Sequence, residues 1–240
     1  VAAVTVAERL DEIRHRMARA CAANGRSEDE VRLVAVSKRI PLPLVVEACA
    51  AGQWDLGENR IPEALERQDE LAVQLGRAGL AADKVRWHFI GHLQGNKAGK
   101  AAGRFYLVHS VDSVKLAEKL SGLAVARGAD ERILLEVNIS GEDQKHGLAA
   151  GSVVESAARI AGLPGLELLG LMGMGRYGAD QVELRNGFSS LRSLAEKARA
   201  VTGRPLPELS MGMSDDFEAA IAEGSTLVRI GGAIFGPRQA

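Results

Sequence analysis

The sequence predicts an α/β protein: a single-domain (β/α)8 barrel of the TIM type over residues 1–240, with an extra helix before the first strand. Three observations lead there. Eight short β-rich runs alternate with helical patterns along the 240 residues. The runs are almost wholly apolar rather than alternating, as expected of parallel strands covered on both faces. The first run is not followed by the G-x-G-x-x-G loop that a doubly wound open sheet carries at that point, which favours the barrel over its rival.

The elements follow in order. Over 4–22, Val6, Leu10, Ile13, Met17 and Ala20 recur at spacings of three and four, which predicts an amphipathic helix. Strands are predicted at 31–37, 54–57, 85–91, 105–110, 132–139, 166–172, 208–211 and 226–231, with 54–57 and 208–211 the weakest patterns. Helices are predicted at 42–51, 59–76, 96–102, 113–127, 149–161, 180–201 and 215–223. Pro62 falls in the first turn of its helix, where a missing N–H costs least. The run Ala161-Gly162-Leu163-Pro164-Gly165 is a loop inside the domain, and no linker or low-complexity tract divides the chain.

Composition narrows the function class. The formal net charge is −1, with 46% hydrophobic and 25% charged residues. That is an ordinary globular balance, with no basic excess for nucleic acid and no acidic tail. No stretch approaches a membrane span and the N-terminal segment lacks a signal-peptide apolar run, so a cytoplasmic protein is expected. Cys21 and Cys49 do not make a disulfide framework, which agrees with a reducing compartment. The five histidines, 15, 88, 92, 109 and 146, show no H-E-x-x-H spacing and the cysteines no C-x-x-C, so no metal site is expected. There is no G-x-S-x-G elbow, and the carboxylates of "LGEN" and Asp215-Asp216 have no separation fixed by sequence.

In a barrel, chemistry collects at the C-terminal ends of strands. Lys38 follows the first run, Glu58 and Asn59 the second, His92, Gln94, Asn96 and Lys97 the third, and His109, Ser110 and Asp112 the fourth. Asn138 and Ser140 end the fifth, and Met172 ends the sixth. Ser210, Met211, Gly212, Met213 and Ser214 follow the seventh, and Arg229, Gly231 and Gly232 follow the eighth. "SMGMSDDFEAAI" is a glycine- and serine-bearing turn running into a helix, with Ser214 a plausible N-cap and the helix starting at Asp215. "VRIGGAIFG" places paired glycines before another helical turn, where backbone N–H groups can approach an anion closely. Loops after strands seven and eight are where barrels bind phosphate, so a phosphorylated ligand is the sharpest inference from the residues. A lysine at the end of the first strand points into the mouth, where its amine could condense with a carbonyl. A phosphorylated aldehyde, pyridoxal 5′-phosphate, satisfies both features. Plainer readings stand beside these: Lys38 as a solvated lysine, Ser210 and Ser214 as caps, Arg229 as half of an ion pair, His88 as a hydrogen-bonded core histidine, Met172 and Met174 as packing.

Four motifs carry a resemblance over essentially the whole chain: "AVSK" at 35–38, "GEN" at 57–59, "WHFIGHLQGNK" at 87–97 and "SMGMSDDFEAAIAEGSTLVRIGGAIFG" at 210–236. Together they resemble the pyridoxal 5′-phosphate homeostasis family, whose barrel is like the N-terminal domain of alanine racemase. The resemblance implies that Lys38 holds the cofactor as a Schiff base. It implies that Ser210, Gly212, Ser214, Arg229, Gly231 and Gly232 contact its phosphate and ring, with Asn59 and Met172 lining the pocket. An arginine beside the ring would not stabilise a protonated pyridine nitrogen as a carboxylate does, which weakens the electron sink. Two departures stand out: many relatives carry Ser or Thr where Gly232 stands, and the usual "GLMA" with a following proline is "GLMGMGRYG" at 170–178.

The resemblance implies a carrier in vitamin B6 homeostasis with no robust turnover, delivering pyridoxal phosphate transiently to apoenzymes. Barrel closure needs no oligomer and the sequence shows no long heptad seam, so a monomer is expected. The alternative is a weak amino-acid racemase. That mechanism needs an acid–base group on each face of the ring, and only Lys38 is convincing. Tyr106 and Tyr177 are the tyrosines available, and no β-rich second domain is expected after the eighth strand. A barrel binding some other phosphorylated metabolite noncovalently is the third reading.

Overall fold

The computed structural model describes residues 4–142 and 146–236. Its strands are β1 (Arg32–Val36), β2 (Asp55–Glu58), β3 (Arg86–Phe89), β4 (Leu107–Val111), β5 (Glu131–Asn138), β6 (Leu148–Ala149), β7 (Leu166–Gly173), β8 (Glu208–Ser210) and β9 (Leu227–Ile230). Every pairing is parallel, and the ring runs β1-β2-β3-β4-β5-β7-β8-β9 and back to β1. This is a closed eight-stranded barrel. The two-residue β6, which the sequence pattern does not reveal, adds to the end of β5, with Val137 opposite Leu148.

The helices are α1 (Val6–Ala23), α2 (Leu42–Ala50), α3 (Ile61–Arg77), α4 (Ala98–Ala101), α5 (Val114–Arg127), α6 (Val153–Ala161), α7 (Gln181–Thr202), α8 (Phe217–Ala222) and α9 (Gly232–Phe235). The extra helix α1 starts at a capping box: the Glu8 N–H donates to Thr5 Oγ1 at 3.2 Å, and the Thr5 N–H donates to Glu8 Oε2 at 2.8 Å. It buries Val6, Leu10, Ile13, Met17 and Cys21, one residue on from the predicted Ala20, against α2, α8 and α9. Burying each such side chain stabilises by about 1.5–3 kcal/mol, so α1 is tied across the seam between the last and first βα units. Pro62 lies in the first turn of α3, as predicted.

Two sequence expectations need correction. Residues 215–216 are outside the helix they were assigned to: α8 begins at Phe217 with Asp216 as its N-cap, and Ser214 caps nothing. The Asp216 carboxylate reaches back to accept the Met213 N–H at 2.5 Å, as the acidic residue of a capping box does, and the Phe217 N–H donates to the Met213 carbonyl at 2.9 Å, so the chain enters α8 through a turn closed at Met213. His109 and Ser110 lie inside β4 rather than after it, and both are fully buried.

Two apolar layers fill the space between helices and barrel wall, while Val34, Leu107, Leu134, Met172 and Leu227 plug the lumen. Among the described residues no helix is long and apolar enough to cross a membrane.

Candidate active-site mouth at the C-terminal end of the barrel

Lys38 sits two residues beyond the end of β1, in a turn that the surrounding chain bolts down. The Ile40 N–H donates to the Ser37 carbonyl at 3.0 Å, closing a β-turn across Lys38 and Arg39. Arg39 has φ of +60°, a left-handed conformation costly for a residue with a Cβ. Such strain persists only where neighbours over-determine it. Here the Arg67 guanidinium, reaching up from α3, donates to the carbonyls of Ser37 at 3.0 Å and Ile40 at 2.8 Å, and to Glu58 Oε1 at 3.1 Å. Glu58 also accepts the Ser37 hydroxyl at 2.7 Å. Burial pushes the Glu58 carboxyl up, opposed by the Ser37 hydrogen bond and the Arg67 charge. Sequence reasoning missed Arg67 altogether, because one arginine on a charged helix face carries no signal.

Across the mouth, Gly212 has φ of +96°, and a Cβ there would lie 2.7 Å from the Ala220 Cβ and 2.9 Å from the Phe217 Cα. Only glycine lets the β8 exit fold back onto α8. The adjoining β9 exit is different: a Cβ at Gly231 would meet Val36 at 3.2 Å, whereas one at Gly232 would meet nothing within 4 Å. Gly232 therefore faces open space at the first turn of α9, whose leading N–H groups have no intrahelical acceptor. Ser214 is half-buried on the β8–α8 loop. Asn59 is half-buried just past β2, and the β3 exit presses against it so closely that a Cβ on Gly91 would fall 2.1 Å from the Asn59 carbonyl oxygen.

Below the rim the lumen is polar on one side. Arg229, buried in β9, donates Nη1–H to Ser210 Oγ at 2.6 Å and Nη2–H to the Gly173 carbonyl at 3.1 Å. Among the described residues it makes no ion pair within contact distance, contrary to the plain reading of it. Burial lowers it to about 10, with Asp216 and Glu136 opposing, so it stays charged at neutral pH. Ser210 is fully buried, its hydroxyl engaged by both Arg229 and His109 rather than turned to the rim. From there a chain of hydrogen bonds descends the barrel: Ser210 Oγ to His109 Nδ1 at 2.8 Å, His109 Nε2 to His88 Nδ1 at 2.9 Å, His88 Nε2 to Asp55 Oδ1 at 2.8 Å.

The proton positions follow from the end charges. Burial raises Asp55, but the hydrogen bonds from His88 and Arg86 outweigh it and hold the carboxyl at about 2. An ionised Asp55 only accepts, so His88 donates Nε2–H and its Nδ1 accepts from His109. Burial holds both imidazoles below their ordinary value, His109 well below. His109 then accepts the Ser210 O–H, and Ser210 in turn accepts from Arg229. All donors point one way, from the mouth to Asp55.

Glu136 is the remaining group of note. It lies in β5, is 4% exposed, and its Oε2 has no hydrogen-bond partner among the described residues. Burial raises it to about 7, with Asp112 adding and Arg229 opposing. A lone carboxylate in "LLEVN" is a legible signal that the sequence reading passed over. Met172, 1% exposed in the lumen plug, floors this end and makes apolar contacts.

The two tyrosines lie elsewhere. Tyr177 is 94% exposed in the β7–α7 loop. Tyr106 lies at the opposite end, under the guanidiniums of Arg86 and Arg132. A cleft of about 490 Å³ also opens at that end, lined by Arg14, Trp54, Arg32 and Arg86. Its arginines are already committed, Arg32 to Glu208 and Arg86 to Asp55, so the mouth remains the stronger site.

Comparison with known proteins agrees with this geometry. The alanine racemase N-terminal domain family matches residues 9–239. The pyridoxal phosphate homeostasis protein of Pseudomonas aeruginosa is 42% identical over 98% of this chain and 96% of its own length. That of Homo sapiens is 40% identical over 87% of this chain and 77% of its own. PipY of Synechococcus elongatus PCC7942, solved with PLP bound, superposes with a TM-score of 0.83 at 34% identity, covering 97% of this chain and all of that one. D-threo-3-hydroxyaspartate dehydratase from Delftia sp. HT23 shares the fold at 20% identity and a TM-score of 0.63, over 95% of this chain and 59% of the dehydratase. With its closed barrel, its strand-end lysine and these relatives, the chain belongs to the pyridoxal phosphate homeostasis protein family, within the alanine racemase N-terminal domain fold.

Proposed function

We propose that this chain binds pyridoxal 5′-phosphate at the barrel mouth, holds it covalently through Lys38, and serves as a cytoplasmic carrier in vitamin B6 homeostasis without robust turnover of its own. The observation that carries the reading is the Lys38 turn, strained at Arg39 and clamped by Arg67, at the end of the barrel that also presents the Gly212 and Gly232 loops. The residues fit the group: an amine carried on a restrained turn for the aldehyde, and an open glycine cradle at a helix start for the phosphate.

In this reading Gly212, Ser214, Gly231 and Gly232 hold the phosphate, Arg229 and Asn59 contact the ring and its substituents, and Met172 floors the pocket. Ser210 acts one step back, fixing the Arg229 fork through its hydroxyl. Bound, the cofactor would supply an electron sink for bonds next to an amine. Arg229 keeps its proton at neutral pH and cannot give it up to tune that sink.

A racemase needs a second acid–base group opposite Lys38. The exposure of Tyr177 and the distant placement of Tyr106 favour the carrier over the weak-racemase alternative. Two buried free cysteines accord with a reducing compartment. A monomer that hands cofactor transiently to apoenzymes completes the proposal.

The test is an absorbance spectrum of purified protein with added pyridoxal phosphate, before and after borohydride, for wild type and Lys38→Ala. A visible band in the wild type alone, fixed to Lys38 on reduction, is the expected result. The absence of a band in the wild type would overturn covalent binding and leave the noncovalent phosphate barrel. Racemisation of free amino acids and transfer to an apoenzyme, measured on the same sample, separate carrier from enzyme.

A further inference from the structure

His92, Asp112 and His146 reach one spot at the rim from three different loops. His92 follows β3, Asp112 directly follows β4, and His146 comes just before β6, which pairs beside the end of β5. Three successive strands of the ring therefore deliver them side by side, two to four strands round from Lys38. His92 Nδ1 lies 3.2 Å from Asp112 Oδ2. The rings of His92 and His146 stack with centroids 3.8 Å apart and planes 9° from parallel. One ligand atom from each of the three falls within 4.8 Å of the others.

We propose that His92, Asp112 and His146 form a three-ligand site for a divalent transition-metal ion of the zinc class. Two imidazoles and one carboxylate are the donor set that zinc, cobalt and nickel take and that magnesium and calcium do not. In a tetrahedral zinc site the donor atoms sit about 3.3 Å apart, so these groups need close by no more than about an ångström and a half. Rim loop side chains can do that by rotating. The site is open to solvent, since His92 and His146 are exposed and Asp112 is half-buried.

Three protein ligands leave a coordination position free, as in zinc sites that bind a further ligand. It lies beside a cleft of about 480 Å³ that His92 and Asp112 themselves line, together with Gln94, Asn96, Lys115 and Lys119. The two lysines make that cleft suited to an anionic fourth ligand. The spacing rule that excluded a metal from the sequence looks for ligands on one helix. These three lie 20 and 34 residues apart along the chain, so only the barrel's closure brings them together.

The proposal uses none of the residues assigned to the cofactor and stands or falls apart from it. The experiment is a titration of untagged, chelator-dialysed full chain at neutral pH with Co2+, followed by its visible absorption, and with Zn2+, followed by calorimetry. One equivalent is expected to bind. His92→Ala, Asp112→Asn and His146→Ala should each weaken it by about tenfold or more, and His92→Ala/His146→Ala should abolish it. His15→Ala and Lys38→Ala should leave it unchanged. All three ligands are on the surface of the rim, and far-ultraviolet circular dichroism checks that each variant folds. A second reading on wild type alone uses Ni2+, which should broaden the His92 and His146 ring signals in NMR and spare His15. No binding by the wild type, binding that survives the double substitution, or broadening centred on His15 would each overturn the site.

Discussion

The two ends of this barrel treat their charges in opposite ways. At the N-terminal end the buried polar groups are matched: Asp55 with Arg86 and His88, and Arg32 with Glu208, while the Tyr106 ring lies under two guanidiniums. At the C-terminal mouth the buried groups are left short. Glu136 Oε2 and Ser110 Oγ have no partner among the described residues, Arg229 holds a charge with only neutral acceptors, and Arg39 is strained. One end spends its polar groups on stability. The other keeps them available, which is what a ligand site needs.

The sharpest way to break that contrast is to neutralise one carboxylate at each end. Asp55 is held at about 2, below its ordinary 3.8. The unfolded state therefore binds the proton first as pH falls, and the stabilisation present above about pH 4 is lost progressively down to about pH 2. Asp55→Asn should destabilise the protein by about 3 kcal/mol at pH 7, since it leaves Arg86 and His88 without their acceptor. It should also flatten the acid limb. Urea unfolding across pH 2–7 measures both. A variant as stable as wild type at pH 7 would show that the base is not where stability resides.

Glu136 should do the reverse. Its folded value of about 7 lies above the ordinary 4.5, so the folded state binds more protons and stability falls as pH rises through that window. Glu136→Gln should stabilise the cofactor-free, chelator-treated protein by about 2 kcal/mol at pH 8 and hardly at all at pH 4.5. A loss of stability at pH 8 would mean that the carboxylate has a partner in solution and that the mouth is not short of one.

How far the sequence reaches also divides along this line. Apolar runs and helical spacing locate the eight barrel strands within a few residues, because each is a local pattern set by burial on both faces. Lys38, Gly212, Arg229 and Gly232 are legible for the same reason, as polar residues or glycines at the ends of apolar runs. What stays hidden is everything made by closure. Arg67 clamping the Lys38 turn, the relay from Ser210 through His109 and His88 to Asp55, and the His92–Asp112–His146 cluster each join residues from separate βα units. The misplacement of the α8 start is different in kind: Ser214 and Asp216 are both competent caps, and the bond from the Met213 N–H back to the Asp216 carboxylate decides between them.

Within the mouth, rigidity can be tested apart from charge. Arg67→Lys keeps a cation beside Glu58 but cannot span the Ser37 and Ile40 carbonyls together, as a planar guanidinium does. Losing two such bonds should speed release of the bound cofactor by about tenfold while costing global stability far less. Release is followed by the decay of the visible band under dilution into an aldehyde trap. An unchanged rate would show that Lys38 is held by its own strand and not by the clamp.

The smallest effect expected comes from filling the open face of the phosphate cradle. Gly232 has ordinary backbone angles and empty space where a Cβ would go, so Gly232→Ser adds a hydroxyl without a clash. As a helix-starting residue, serine also restricts the unfolded chain more than glycine does, so stability should hold or rise slightly. If the α9 start receives the phosphate, the added donor should tighten binding of inorganic phosphate and of the cofactor together by about threefold, the scale of one modest hydrogen bond. If the phosphate lies instead against the Gly212 loop, the hydroxyl will point past it, and both affinities will stay at the wild-type value while stability still responds. The substitution thus separates the two loops that the sequence alone could only group.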